Sequence, residues 1–134
     1  MTDAAASLPI TALTGDVVAK IEPDASLDAV ADALVAGEIG ALVVGTGERP
    51  EGIVSERDLV RAIADRRDTA TTTAGDIAHT KLIWCDASAT VHEVAGEMMN
   101  RYVRHVLVEE EGRLVGIVSA RDLLGVYATE TESE

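Results

Sequence analysis

Two short stretches of this chain place a serine three residues ahead of an aspartate, where an apolar run gives way to a helical pattern. They are Gly52-Ile53-Val54-Ser55-Glu56-Arg57-Asp58 and Gly116-Ile117-Val118-Ser119-Ala120-Arg121-Asp122. The spacing supports two chemistries. Backbone N–H groups lie unpaired at a helix N-terminus and make a ready anion site. There Ser55 or Ser119 can donate to a phosphate, while Asp58 or Asp122 can accept two hydrogen bonds from a ribose diol. Ser-x-x-Asp is equally a capping box that satisfies the helix's own orphan N–H groups. Capping requires neither the preceding Gly-Ile-Val nor the intervening Arg. Yet Gly52, Ile53, Val54 and Arg57 recur as Gly116, Ile117, Val118 and Arg121. Glycine at the head of each stretch permits close backbone approach or a bulge.

Other chemistries find less support. His79, His92, His105 and Cys85 show no Cys-x-x-Cys or His-x-x-x-His spacing, so no metal site is expected. His92 falls beside Glu93 on an early helical turn and reads as a solvated helix residue. Cys85 reads as a small buried apolar side chain. No nucleophile stands with a base, and neither a Gly-x-Ser-x-Gly elbow nor a Walker loop is present, so no catalytic residue is assigned.

The elements that must position the two stretches come from a duplication. A shift of 64 positions lays Gly52–Leu59 on Gly116–Leu123 with seven of eight residues identical. Without a gap, the same shift sets Ala25–Ala31 on Ala89–Ala95 and Ile39–Val44 on Val103–Val108. The first nine residues precede a repeat over 10–63, a Thr-rich linker over 64–73, a second repeat over 74–127 and an acidic tail, expected to be disordered, over 128–134. Within each repeat the pattern predicts a β-α-β-β-α order. The first helices open at the N-caps Ser26 and Thr90, the latter in a capping box with Glu93, and Gly37 can close the helix of the first repeat. Leu27, Val30, Ala31 and Leu34 recur at helical spacing, matched by Val91, Val94, Ala95 and Met98. The runs at 41–44 and 106–108, followed by turn residues such as Gly47 and Gly112, read as hairpin strands. A unit this small has an uncovered sheet face, so the two copies are expected to pack as one α/β module.

Composition narrows the partners. A net charge of −13 repels a phosphate backbone, and one Trp with two Tyr cannot build a base-stacking platform, which excludes nucleic acid. With no Phe, the core must be aliphatic and Ala-rich. No run approaches the roughly 18 consecutive apolar residues of a membrane span. A single cysteine and a start without a basic-then-apolar leader predict a cytoplasmic protein.

With the duplicated signature Gly-aliphatic-x-Ser-x-x-Asp in register, each repeat resembles a cystathionine-β-synthase (CBS) motif, and the pair resembles a Bateman module. The resemblance covers all but the first nine or so residues and the acidic tail. It implies tandem CBS repeats with a pseudo-two-fold axis and two clefts that bind AMP, ADP, ATP, S-adenosylmethionine or NAD(H) as a regulatory ligand, not as a cofactor. In such modules the Asp holds the ribose, the Ser contacts ribose or phosphate, and the aliphatic residue after Gly lines the adenine slot. The opposite wall comes from the other repeat. Carried onto this chain, the cleft of Asp122 would use Ile117 and Ser119 with Thr14, Ala19, Gly40 and Ala41. That of Asp58 would use Ile53 and Ser55 with Leu82, Ile83, Val103, Arg104 and His105. Arg57 and Arg121 join the ligand-binding set as the signature's recurring cations. Gly40 and Ala41 align with Arg104 and His105, so the clefts are expected to differ in charge. The resemblance also implies a homodimer and an effector protein outside this chain. The alternative is a structural dimerisation module without ligand affinity. Trp84, aligned with Lys20, reads as a ligand contact, a dimer contact or a partly exposed strand residue.

Overall fold

Local sequence sets the elements of each repeat. The computed structural model describes residues 6–14, 17–47 and 49–133. They fall into two compact units, one from Val18 to Leu82 and one joining the leading segment to the residues from Ile83 onward.

In the Val18–Leu82 unit the order is β1 (Lys20–Ile21), α1 (Leu27–Gly37), β2 (Ala41–Val44), β3 (Gly52–Ser55), α2 (Glu56–Ala64) and a short α3 (Ala74–Ile77). The sheet runs β1-β2-β3, with β1 parallel to β2 and β3 antiparallel to it. Ser26 caps α1 by accepting from the N–H of Ala29 at 3.2 Å. That start turns Leu27, Val30 and Leu34 onto Leu42, Val44 and Val54 of the sheet. The other unit repeats the plan with a 3₁₀ turn (Ile10–Leu13), β4 (Trp84–Asp86), α4 (Val91–Arg101), β5 (His105–Glu110), β6 (Arg113–Ser119) and α5 (Ala120–Ser133). Its sheet is β4-β5-β6, again parallel then antiparallel. Val91, Val94 and Met98 bury against Val106, Val108 and Val118. The fold is α/β with two three-stranded sheets, as the tandem repeat predicts.

Compact unit and sequence repeat are different divisions of this chain. Ile10 heads the first repeat, yet it is wholly buried in the core of the second repeat's sheet, with Val91, Val94 and Val118. Ala74, its equivalent, is buried in the core of the first. The docking is the same in both. The N–H of Ile10 donates to Ala89 and that of Val91 to Leu8, while Ala74 donates to Ala25 and Leu27 to Thr72, all at 2.8–3.0 Å. Two otherwise orphan N–H groups at the starts of α1 and α4 find carbonyl partners in this way.

Two local readings change. Gly37 is the last helical residue of α1, and the left-handed cap is Glu38 (φ 52°), mirrored by Tyr102 (φ 56°) after α4. The N–H groups of Ile39 and Val103 reach back to Leu34 and Met98, closing both helices in the six-to-one pattern that needs a left-handed residue one position before. The stretch expected as a disordered tail continues α5 as far as Ser133, with no Gly or Pro after Gly125 to stop it. The linker is tied down, since Thr69 and Thr72 accept from Asp28 and Leu27 at the head of α1. The β5–β6 hairpin turns through Glu111 (φ 52°) and Gly112 (φ 80°), the two positive φ angles of a type I′ turn.

Candidate functional site

Both Ser-x-x-Asp stretches lie where the last strand of a sheet runs directly into a helix, β3 into α2 and β6 into α5. Each is a capping box. Asp58 Oδ2 accepts from the Ser55 N–H at 2.8 Å and from its hydroxyl at 2.9 Å, and the Asp58 N–H donates to Ser55 Oγ at 3.3 Å. Asp122 Oδ2 accepts from the Ser119 N–H at 2.8 Å, with the return bond to Ser119 Oγ at 3.1 Å. The box fixes each carboxylate against its helix start and commits one of its two oxygens.

The glycine of each signature is required by close approach. A Cβ on Gly52 would lie 2.7 Å from the carbonyl oxygen of His79, and one on Gly116 would lie 2.5 Å from Cβ and Cγ2 of Thr14. Thr14 and Ala78 are equivalent under the 64-residue shift, so the segment leading into each first strand crosses the glycine of the neighbouring signature. In the second repeat β6 also carries a bulge just before Gly116, where its register against Val108 and Glu109 slips by one residue.

The second carboxylate oxygen differs between copies. Asp58 Oδ1 sits 2.6 Å from His79 Nε2, and Asp58 is buried. Asp122 is exposed, and its Oδ1 has no partner among the described residues. His79 was not among the residues singled out for the site. Its link to the signature is a backbone pairing with Ile53 across 26 positions, which no local motif announces.

Of the remaining expected site residues, the structure brings some together within a unit. Ser55 pairs with Ala41 across β3 and β2, and the N–H of Glu56 donates to the carbonyl of Gly40 at 2.9 Å. In the other unit Ser119 pairs with His105, and Ala120 donates to Arg104 at 2.8 Å. Ile53 is buried and Ile117 half-buried, while Arg57 and Arg121 are exposed on the first turns of α2 and α5. Ala19 accepts from Val43 beside β1, Ile83 accepts from Leu107 beside β4, and Val103 packs on the core of its own unit. Leu82 is half-buried at the end of the first unit. Glu56 is a second residue missed from sequence. Its carboxylate covers Gly40, with Oε1 2.9 Å from where a Cβ would stand.

The profile of the CBS domain matches residues 10–65 and 74–129. The chain belongs to the CBS-domain family. Its two CBS repeats are similar to Hypoxic response protein 1 of Mycobacterium tuberculosis, at 37% identity over 100 residues covering 73% of this chain and 70% of that one. They are also similar to a CBS domain protein of Pyrobaculum aerophilum solved in complex with AMP. That match has a TM-score of 0.78 at 31% identity and covers 91% of this chain and 99% of that one. A third match is the structure of Hypoxic Response Protein I with two coordinated zinc ions, at a TM-score of 0.72 and 32% identity over 87% of this chain and 97% of that one.

In this CBS pair, no three His, Cys, Asp or Glu among the described residues converge to hold a metal ion. Cys85, half-buried in β4, has its thiol pushed up to about 11, first by burial and then by Asp86, Glu109, Glu93 and Glu97. Such a thiol is a weak nucleophile at neutral pH. Trp84 beside it is a half-buried strand residue. No helix among the described residues is long and apolar enough to cross a membrane.

Proposed function

We propose that this CBS pair is a cytoplasmic, non-catalytic regulatory module that binds an adenosyl ligand (AMP, ADP, ATP, S-adenosylmethionine or NAD(H)) and passes its occupancy to an effector protein outside the chain. The observation that carries the reading is the duplicated strand-to-helix junction. In both copies a carboxylate is fixed at a helix start by a capping box, behind a glycine stripped of its Cβ by close backbone or side-chain approach. Such a carboxylate suits a ribose diol because its oxygens accept and its position is set before the ligand arrives. The similar protein solved with AMP supports the ligand class. The further contacts proposed are the sets given above for Asp122 and for Asp58.

A structural module without ligand affinity is the second reading. It is favoured by the fact that capping alone accounts for one oxygen of each aspartate. The two separate by experiment. A thermal-shift panel of the five ligands comes first, since a ligand at 100 times its Kd adds about 2.7 kcal/mol to stability. Asp58→Ala and Asp122→Ala are then titrated calorimetrically. Each substitution is expected to abolish binding at its own signature while lowering stability by about 1 kcal/mol at the exposed Asp122, the worth of a cap, and by more at the buried Asp58, which also loses its bond to His79. Ligand affinity unchanged in both variants, with lower melting temperatures, would leave the capping role alone.

A further inference from the structure

We propose that His79 is an internal competitor for Asp58, so that the first CBS signature is latched shut and the second, at Asp122, fills first. The inference rests on the ribose reading of the two aspartates given above. Asp58 Oδ2 is committed to Ser55, which leaves Oδ1 to meet a ligand hydroxyl, and Oδ1 is held by His79 Nε2 at 2.6 Å. Both partners of a carboxylate bond cannot be acceptors, so Nε2 carries the proton and donates. At the second signature Oδ1 of Asp122 has no partner among the described residues. The shift of 64 positions aligns His79 with Gly15, a residue without a side chain, which lies outside the described residues.

The geometry suits a displaceable latch better than a core ion pair. The His79 backbone is pinned to β3 by two hydrogen bonds, its N–H to Ile53 at 2.9 Å and the Ile53 N–H to its carbonyl at 3.0 Å. The imidazole is therefore delivered to one place. Its side chain is 62% exposed, while that of Asp58 is 4% exposed. Rotation about the side-chain bonds of His79 can free Oδ1 without repacking any buried group, and ligand hydroxyls can then take the same acceptor. Affinity at this signature is reduced by the population of the latched state.

The test uses the full chain with AMP as probe. In an Asp122→Ala background, where Asp58 alone remains, His79→Gly is expected to tighten AMP binding by about tenfold, on the scale of one hydrogen bond to a charged group. His79→Gln, which keeps an N–H donor, should stay nearer the parent. In an Asp58→Ala background His79→Gly should leave AMP affinity unchanged. A readout that needs no substitution at His79 is its imidazole ¹⁵N resonance in the Asp122→Ala chain, expected to move as AMP saturates. The latch is overturned if AMP still binds but His79→Gly weakens it or leaves it unchanged, or if that resonance stays still. An AMP affinity that survives both Asp substitutions overturns the ribose reading itself, and the latch with it.

Discussion

Arg104 and Gly40 occupy equivalent positions in the two repeats, and so do Ala120 and Glu56. The first repeat therefore carries an acid over a glycine where the second carries an exposed base beside an alanine. Arg104 makes no ion pair among the described residues, which leaves its guanidinium available to an anion. A cation about 4 Å from a phosphate is worth on the order of 4 kcal/mol at an effective dielectric near 20, but exposure and screening bring an exposed pair down to about 1 kcal/mol. Arg104→Ala is accordingly expected to weaken ATP about fivefold and adenosine hardly at all, at fixed ionic strength. Equal losses for adenosine, AMP and ATP, or no loss, would remove Arg104 from the phosphate contacts. At this scale the capping boxes were legible in the sequence, because Ser55 with Asp58, and Ser119 with Asp122, act three residues apart. His79 and Glu56 were not. The first reaches its signature through a bridge to Ile53 and the second through the fold of a strand start over Gly40, and neither leaves a local spacing to read.

Elements show the same division between local and distant causes. Ser26 and Thr90 begin their helices where their side chains accept from Ala29 and Glu93, and of the apolar positions that follow at helical spacing Leu27, Val30, Leu34, Val91, Val94 and Met98 are buried and Ala31 and Ala95 half-buried. What periodicity cannot supply is the destination of a segment with only four helical residues. The 3₁₀ turn at Ile10 heads the first repeat and fills the core of the second, a destination that its four residues do not announce. Burying an isoleucine is worth about 1.5–3 kcal/mol, and truncation adds the cost of a cavity. Ile10→Ala should therefore destabilise the chain by about 2–5 kcal/mol in chemical denaturation. The matched control is Val60→Ala on the outer face of α2, expected to change stability by no more than about 0.5 kcal/mol. If the two substitutions cost the same, the leading segment does not belong to that core.

At the scale of the whole molecule, the repeat leaves apolar side chains outward at equivalent places. Val35 of α1 and Met99 of α4 are 78% and 77% exposed, and Val60 of α2 and Leu124 of α5 are another outward pair. Scattered apolar residues are ordinary, but a set reproduced by an internal duplication presents the same kind of surface twice, which suits two-fold pairing. Charge works against it. Each chain carries a net charge of −13, so two copies repel, and the repulsion weakens as salt shortens the screening length from about 10 Å at 0.1 M to about 3 Å at 1 M. A homodimer held by these apolar positions should consequently tighten as salt rises, opposite to an interface built on ion pairs. Sedimentation equilibrium at micromolar concentration is expected to give twice the 14.0 kDa of one chain, with a dissociation constant that falls between low and high salt. Val35→Glu combined with Met99→Glu places two more charges on the same faces and should return the monomer mass with the chain still folded, since both side chains are largely exposed, and with a melting temperature lowered only by the share that association contributed. A wild-type mass of one chain at every salt concentration removes the dimer. A dimer indifferent to the double substitution moves the interface to another face.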